Sequence, residues 1–171
     1  HAKGDYLLLL NNDTEMIHGD CLRQLLGPCQ RPEVGITGAL LYYGDDTIQH
    51  AGVVLGFGGI AGHAFIGEKR GDNGYFSRII CRQDYSAVTA ACLMVKTSVY
   101  REVGGMSEDL RVAFNDIDFC MKVRKAGYLV VYNPGAELYH FESKSRGLEN
   151  TQEKIERFNG EIAQFLARWG E

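Results

Sequence analysis

The chain has 171 residues, with 18 Lys and Arg against 22 Asp and Glu, a net charge of −4. Apolar residues make up 45 % and charged residues 23 %, ordinary globular values that exclude a disordered, fibrous or coiled-coil chain. The mild acidity argues against broad nucleic-acid binding, which needs a basic face, yet it leaves room for one small anionic ligand whose charge a bound cation offsets.

The length predicts one domain. The chain opens His1-Ala2-Lys3-Gly4 and enters a strand at once, so a piece lacking its natural N-terminal part is expected. Tyr6 to Leu10 is apolar throughout and reads as a strand buried on both faces, as in a parallel sheet. It is far short of the roughly twenty residues that span a bilayer, and no basic segment precedes it to make a signal peptide. Asn11-Asn12-Asp13 stops it. Asp20 is placed to cap a helix carrying Leu22, Leu25, Leu26 and Cys29, ending near Gly27-Pro28. Val34 to Tyr43 and Ile48 to Leu55 are further strands, with Gly44-Asp45-Asp46 as the turn between them. Gly52 to Gly74 holds eight of the 21 glycines. It fits no phosphate-loop pattern, and reads as a loop that orders over a ligand or as a plain irregular connection.

Ser86 to Lys96 reads as a strand and Ser98 to Val103 as a short helix. Asp116 to Ala126 is a helix closed by Gly127. Tyr128 to Tyr132 and Ala136 to Phe141 read as two strands separated by Asn133-Pro134-Gly135, and Glu142 to Gly147 as a polar loop. The last helix carries Ile155, Phe158, Ile162, Phe165, Leu166 and Trp169 at helical spacing, with Asn150 and Glu153 resembling a capping box. Alternating strands and helices mean an α/β fold. Five cysteines, at 21, 29, 81, 92 and 120, form no CxxC pair and read as reduced core thiols of a cytosolic protein.

Three groups stand out. Asn11 and Asp13 lie two apart at the C-terminal end of a strand and face the same side. Ligands bind at that edge in open α/β sheets, and a carboxylate there suits Mn²⁺ or Mg²⁺; a plain turn uses the same residues. Asp116 falls in the middle of the apolar arc of its helix, while Asp118 falls on the polar side with Lys122 and Lys125. Asp118 therefore reads as a solvated first-turn acid, and Asp116 as a general base or an N-cap. His140 ends a strand, as a structural residue or, if near Asp13, as a metal ligand. Lys144 and Arg146 follow it and suit phosphate oxygens or a solvated loop. His50 and His63 carry weaker signals.

Taken in order, these segments resemble a family 2 glycosyltransferase of GT-A fold, in the bacterial, rhamnosyltransferase-like branch that builds cell-surface polysaccharide. The matching runs are GDYLLLLNNDT from Gly4, IQHAG from Ile48, VTAACLMV from Val88 on to Val103-Gly104-Gly105-Met106, NDIDFC from Asn115, Ala126-Gly127-Tyr128, and HFESKSRG from His140. The resemblance implies a mixed central sheet flanked by helices and truncated at the N-terminus, the chain being the C-terminal two thirds of one GT-A domain. The strands that grip the donor's base and ribose would precede residue 1. It implies that Asn12, Asp13 and Arg146 hold the sugar-nucleotide diphosphate, that Asp13 and His140 hold Mn²⁺ or Mg²⁺, and that Asp116 is the catalytic base of an inverting transfer. Asn11 stands where family members carry a first Asp, and Asn115 where they carry Glu. The implied partners are a nucleotide-sugar donor and a glycan or lipid-linked acceptor, with no nucleic acid. The implied location is the cytoplasm, at the membrane periphery for the full-length protein. The 171 residues alone are expected to be inactive and to self-associate through the sheet edge left exposed. A non-catalytic glycan or nucleotide-sugar binding module is the alternative. A phosphohydrolase ranks last, because Asn11 supplies no nucleophile.

Overall fold

The computed structural model describes residues 1–57, 59–110, 113–141 and 152–170. Its strands are β1 (Tyr6–Leu10), β2 (Thr14–Met16), β3 (Val34–Tyr42), β4 (Ile48–His50), β5 (Val53–Leu55), β6 (Ala61–His63), β7 (Gln83–Asp84), β8 (Cys92–Lys96) and β9 (Leu129–His140). Its α-helices are α1 (Cys21–Cys29), α2 (Thr97–Glu102), α3 (Asn115–Lys125) and α4 (Gln152–Trp169). Seven strands form one sheet in the order β1-β8-β3-β9-β2, with β4 beside β3 and β7 beside β9; β5 and β6 make a separate hairpin. β3 and β9 run parallel, and the other described strand pairs run antiparallel.

Every residue of β3 is buried, as its unbroken apolar run requires of a strand covered on both faces. Alternation sends Ile36, Leu40 and Tyr42 into a cluster with Phe119, Cys120 and Val123 of α3. Ala39 and Leu41 enter a second cluster with Leu25 and Cys29 of α1. Helices therefore flank the sheet on both sides.

Several sequence expectations are corrected by this topology. β1 is only half-buried and pairs antiparallel with β8, Leu10 opposite Cys92; it is the last strand of the described sheet on its side, not a central parallel one. Asp20 makes no side-chain cap; its carboxylate accepts from Gln24 Nε2 at 3.0 Å. α1 runs through Pro28 to Cys29. The 48–55 segment breaks into β4 and β5 at Gly52, whose φ of +101° ends the first pairing.

The two expected strands flanking Asn133-Pro134-Gly135 are one. The partner of Ala39 is Asn133 and that of Leu40 is Glu137, so residues 134 to 136 are extruded as a bulge, which spares Pro134 a ladder hydrogen bond. Asn133 clamps the bulge by donating to Gln24 O at 2.6 Å and accepting from Gly135 N at 3.2 Å. Cys81 is exposed, unlike the other four cysteines. Burial pushes the Cys29 and Cys92 thiols up to about 11 and about 12, so both stay protonated and inert. The 142–147 loop and Asn150 of the expected capping box lie outside the described residues.

Candidate active site

The register of two strands builds the first half of the site. β2 pairs with the end of β9, Thr14 opposite His140, and the amide of Phe141 donates to Asp13 O at 2.9 Å. Asp13 is thereby fixed beside His140 although 127 positions separate them in the chain. His140 Nε2 lies 3.2 Å from Asp13 Oδ1 and 3.1 Å from Asn11 Nδ2. Asp13 Oδ1 is buried and has no hydrogen-bond donor among the described residues. His140 is 8 % exposed. On the far side of the ring, Nδ1 sits 2.7 Å from Gln49 Oε1. Asn12 is exposed in the turn between β1 and β2.

The second half hangs on three consecutive residues before β8. The amide of Thr89 donates to His50 Nε2 at 3.4 Å. That of Ala90 donates to Asp116 Oδ2 at 3.1 Å. The carbonyl of Ala91 accepts from Asn11 N at 3.0 Å. The run from Ser86 was expected to be strand throughout. It becomes strand only at Cys92: the amides of Thr89 and Ala90 go to side chains instead of a ladder, while the Ala91 carbonyl still continues the β1–β8 register by accepting from Asn11. Asp13, His140 and Asp116 are thus brought to one region, Asp116 tied to Ala90 and Asn11 to Ala91.

Asp116 sits in the first turn of α3 and is half-buried. Its Oδ1 accepts from Ile117 N at 2.9 Å, and its own amide donates to Asn115 Oδ1 at 2.7 Å. The N-cap reading is corrected: Phe114 is the N-cap and makes no side-chain cap bond, and Asp116 lies inside the first turn, where Oδ1 accepts from the next amide and Oδ2 from Ala90. Asp118 reverses its expected role: it is fully buried. It accepts from Ser107 Oγ at 2.6 Å, Arg168 Nη1 at 2.7 Å and Trp169 Nε1 at 2.9 Å, with Lys122 Nζ at 3.3 Å. Burial pushes its carboxyl up, but the three hydrogen bonds and the lysine charge outweigh that and hold it below the usual range. The helical wheel missed this because Arg168 and Trp169 come from α4 and Ser107 from the segment before α3.

His50 is 1 % exposed. Its Nδ1 faces His63 Nδ1 at 2.9 Å. Burial first, then His63 and His140, hold its pKa well below the ordinary histidine value. Gln49 is the residue that sequence reasoning passed over; its signal was the IQHAG run from Ile48, to which no role was given, while His50 carried only a weak one. Arg146 and Lys144 lie outside the described residues.

A divalent cation fits this donor set in part. A hard carboxylate oxygen lacking a donor faces an imidazole nitrogen, a pairing that Mn²⁺ accepts readily. Among the described residues no three His, Cys, Asp or Glu side chains gather into a complete cage, so ligand oxygens and water would have to supply the remaining positions.

No protein-family model matches the chain. It is 52 % identical over 169 residues to the uncharacterized protein y4gI of Sinorhizobium fredii, covering 98 % of this chain and 19 % of that one. It is 36 % identical over 146 residues to the O-antigen biosynthesis protein RfbC of Myxococcus xanthus, covering 85 % and 12 %. Over 60 residues it is 37 % identical to an N-acetylglucosaminyl-diphospho-decaprenol L-rhamnosyltransferase of Mycobacterium tuberculosis, covering 35 % and 20 %. The chain thus spans a fifth or less of the length of these relatives. Among solved structures, the mannosyltransferase PcManGT of Pyrobaculum calidifontis, in complex with GDP-Man and Mn²⁺, superposes with a TM-score of 0.60 at 12 % identity, over 98 % of this chain and 41 % of that one. GalNAc-T7 with UDP, GalNAc and Mn²⁺ superposes at 0.58 and 13 % identity, over 90 % and 31 %. At such identities the likeness establishes the fold. The chain has a GT-A-type fold, a mixed α/β domain whose mostly antiparallel central sheet is flanked by helices.

Proposed function

We propose that the protein of which this chain is the catalytic part transfers a sugar, with inversion, from a nucleotide-sugar donor to a hydroxyl of a glycan or lipid-linked acceptor in cell-surface polysaccharide synthesis. The observation that carries the reading is the buried Asp13 Oδ1 facing His140 Nε2, with Asp116 tied to Ala90 and Asn11 to Ala91. The polysaccharide-related names of RfbC and the rhamnosyltransferase support it, as does the fold shared with enzymes solved with Mn²⁺.

In this reading Asp13 and His140 hold a divalent cation, and Asn12 and Arg146 assist with the donor diphosphate. Bound there, the cation offsets charge developing on the leaving diphosphate. Asp116 Oδ2 accepts the proton of the acceptor hydroxyl as its oxygen attacks the anomeric carbon. One carbon–oxygen bond forms while the bond to the diphosphate breaks, and the nucleoside diphosphate leaves with the electron pair. The displacement is single, so the anomeric centre inverts without a covalent enzyme intermediate. The Ala90 amide, bonded to the same Oδ2, aims the carboxylate rather than neutralising it. We extend the proposal to the 171 residues alone, which turn over donor poorly if the nucleoside is gripped by parts of the GT-A domain outside them.

The test is a screen of nucleotide sugars with Mn²⁺ on the full-length protein, followed by NMR assignment of the product anomer. Asp116→Asn is expected to lower transfer at least about a hundredfold, the low end of what a positioned base contributes, while donor binding persists. Equal activity in the variant removes the base, and a retained anomeric configuration removes the single displacement. Donor and acceptor binding without any transfer would make the protein a binding module.

A further inference from the structure

We propose that Gln49 is a positioning residue of the candidate site, fixing which nitrogen of His140 is free for a cation and where that nitrogen points. The inference rests on the cation reading above and adds a residue to it. A backbone carbonyl only accepts hydrogen bonds. The carbonyl of His140 lies 3.4 Å from Gln49 Nε2 and takes its hydrogen, so the amide is oriented with Oε1 toward the ring. That oxygen, also an acceptor only, lies 2.7 Å from Nδ1. Nδ1 therefore carries the ring hydrogen. In the neutral ring the lone pair is confined to Nε2, the nitrogen 3.2 Å from Asp13 Oδ1. Asn11 Nδ2, 3.1 Å from Nε2, is a donor and fits the same tautomer; a cation taking the Nε2 lone pair would displace that contact.

One side chain thus holds both the ring and the main chain of His140, which leaves the imidazole little freedom to rotate or swing. Gln49 is 5 % exposed, so water competes poorly for these bonds. Its backbone belongs to β4, whose neighbour His50 pairs with Leu41 of the buried β3, so the clamp is mounted on the sheet rather than on a loop. Cation-ligating histidines are commonly oriented by a hydrogen bond at the other ring nitrogen, and losing that bond typically costs ten- to a hundredfold in metal affinity.

The experiment compares the unaltered protein with Gln49→Met, which keeps length but loses both bonds, and Gln49→Glu, which keeps the acceptor facing Nδ1. Nitrogen NMR of the His140 ring, without metal, reads the tautomer; electron paramagnetic resonance with added UDP reads Mn²⁺ affinity. The proposal expects hydrogen on Nδ1 in the unaltered protein. It expects a mixed tautomer and a ten- to hundredfold weaker Mn²⁺ affinity in Gln49→Met, and recovery of most of that loss in Gln49→Glu. Hydrogen on Nε2 in the unaltered protein overturns it without any variant. So does a Gln49→Met protein whose tautomer and Mn²⁺ affinity are unchanged. Asp13→Asn separates the two ideas: if it leaves Mn²⁺ affinity intact, the cation reading fails, while the tautomer measurement still judges the clamp.

Discussion

At the scale of single residues, the site depends on contacts that only the folded chain can make. Asp13 and Asp116 were legible as candidates, one by its place at a strand end and the other by its helical phase. The ties of Asp116 to Ala90 and of Asn11 to Ala91 were not, because backbone groups carry no sequence signature. Gly38 shows the same limit. In sequence it is a glycine in a strand; in the fold, a Cβ there would lie 2.5 to 2.7 Å from three side-chain atoms of Val88. That close approach lets the segment carrying Thr89 and Ala90 lie down on β3. Gly38→Ala is expected to cost about 1–3 kcal/mol by overpacking, read from the urea midpoint. An unchanged midpoint would mean that the segment moves away without penalty.

At the scale of elements, α4 shows why the helix-opening acid stays where it is. Phe114 precedes α3 with a φ of +61°, costly for a bulky residue. Its ring packs on Phe158 and Phe165 of α4, with centroids 5.7 and 5.4 Å away. The amide of Ala113 donates to Glu161 at 2.6 Å, and Asp118 accepts from Arg168 and Trp169. α4 therefore grips the Asp116 turn from both sides. Asp118→Ala is expected to destabilise the fold by about 1–3 kcal/mol, since it removes the buried acceptor shared by Ser107, Arg168 and Trp169 and leaves those donors short of a partner. A thermal midpoint within a degree of the unaltered protein would contradict that. The existence of α3 and α4 was readable from hydrophobic periodicity, and their lock was not, because periodicity reports which face is buried but not what meets it. β9 failed for a related reason: Asn133-Pro134-Gly135 has the local chemistry of a stop, and a long-range partner, Gln24 of α1, turns it into a bulge.

At the scale of the whole molecule, the α/β class and the GT-A architecture followed from the order of motifs, whereas the mostly antiparallel pairing did not, since apolar runs do not state strand direction. No described helix is long and apolar enough to cross a membrane. The buried histidine ties fold to pH. His50 has a folded pKa well below its unfolded value near 6.5, so the unfolded chain binds the extra proton first. Its contribution to stability is therefore complete above pH 6.5 and is lost as pH falls below it, by at most about 1.4 kcal/mol per pH unit. Between pH 7 and 5.5, His50→Gln is expected to lose less stability than the unaltered protein; equal losses would show that His50 is not kept neutral. The central claim, that a cation at Asp13 and His140 sits beside the Asp116 base, is tested most directly by paramagnetic broadening of amide NMR signals with Mn²⁺ and UDP. The account predicts strongest broadening at Asp13, Ala90, Ala91 and Asp116, fading along β8 toward Lys96. Broadening centred elsewhere, or sparing Asp116 while Asp13 is lost, would contradict it.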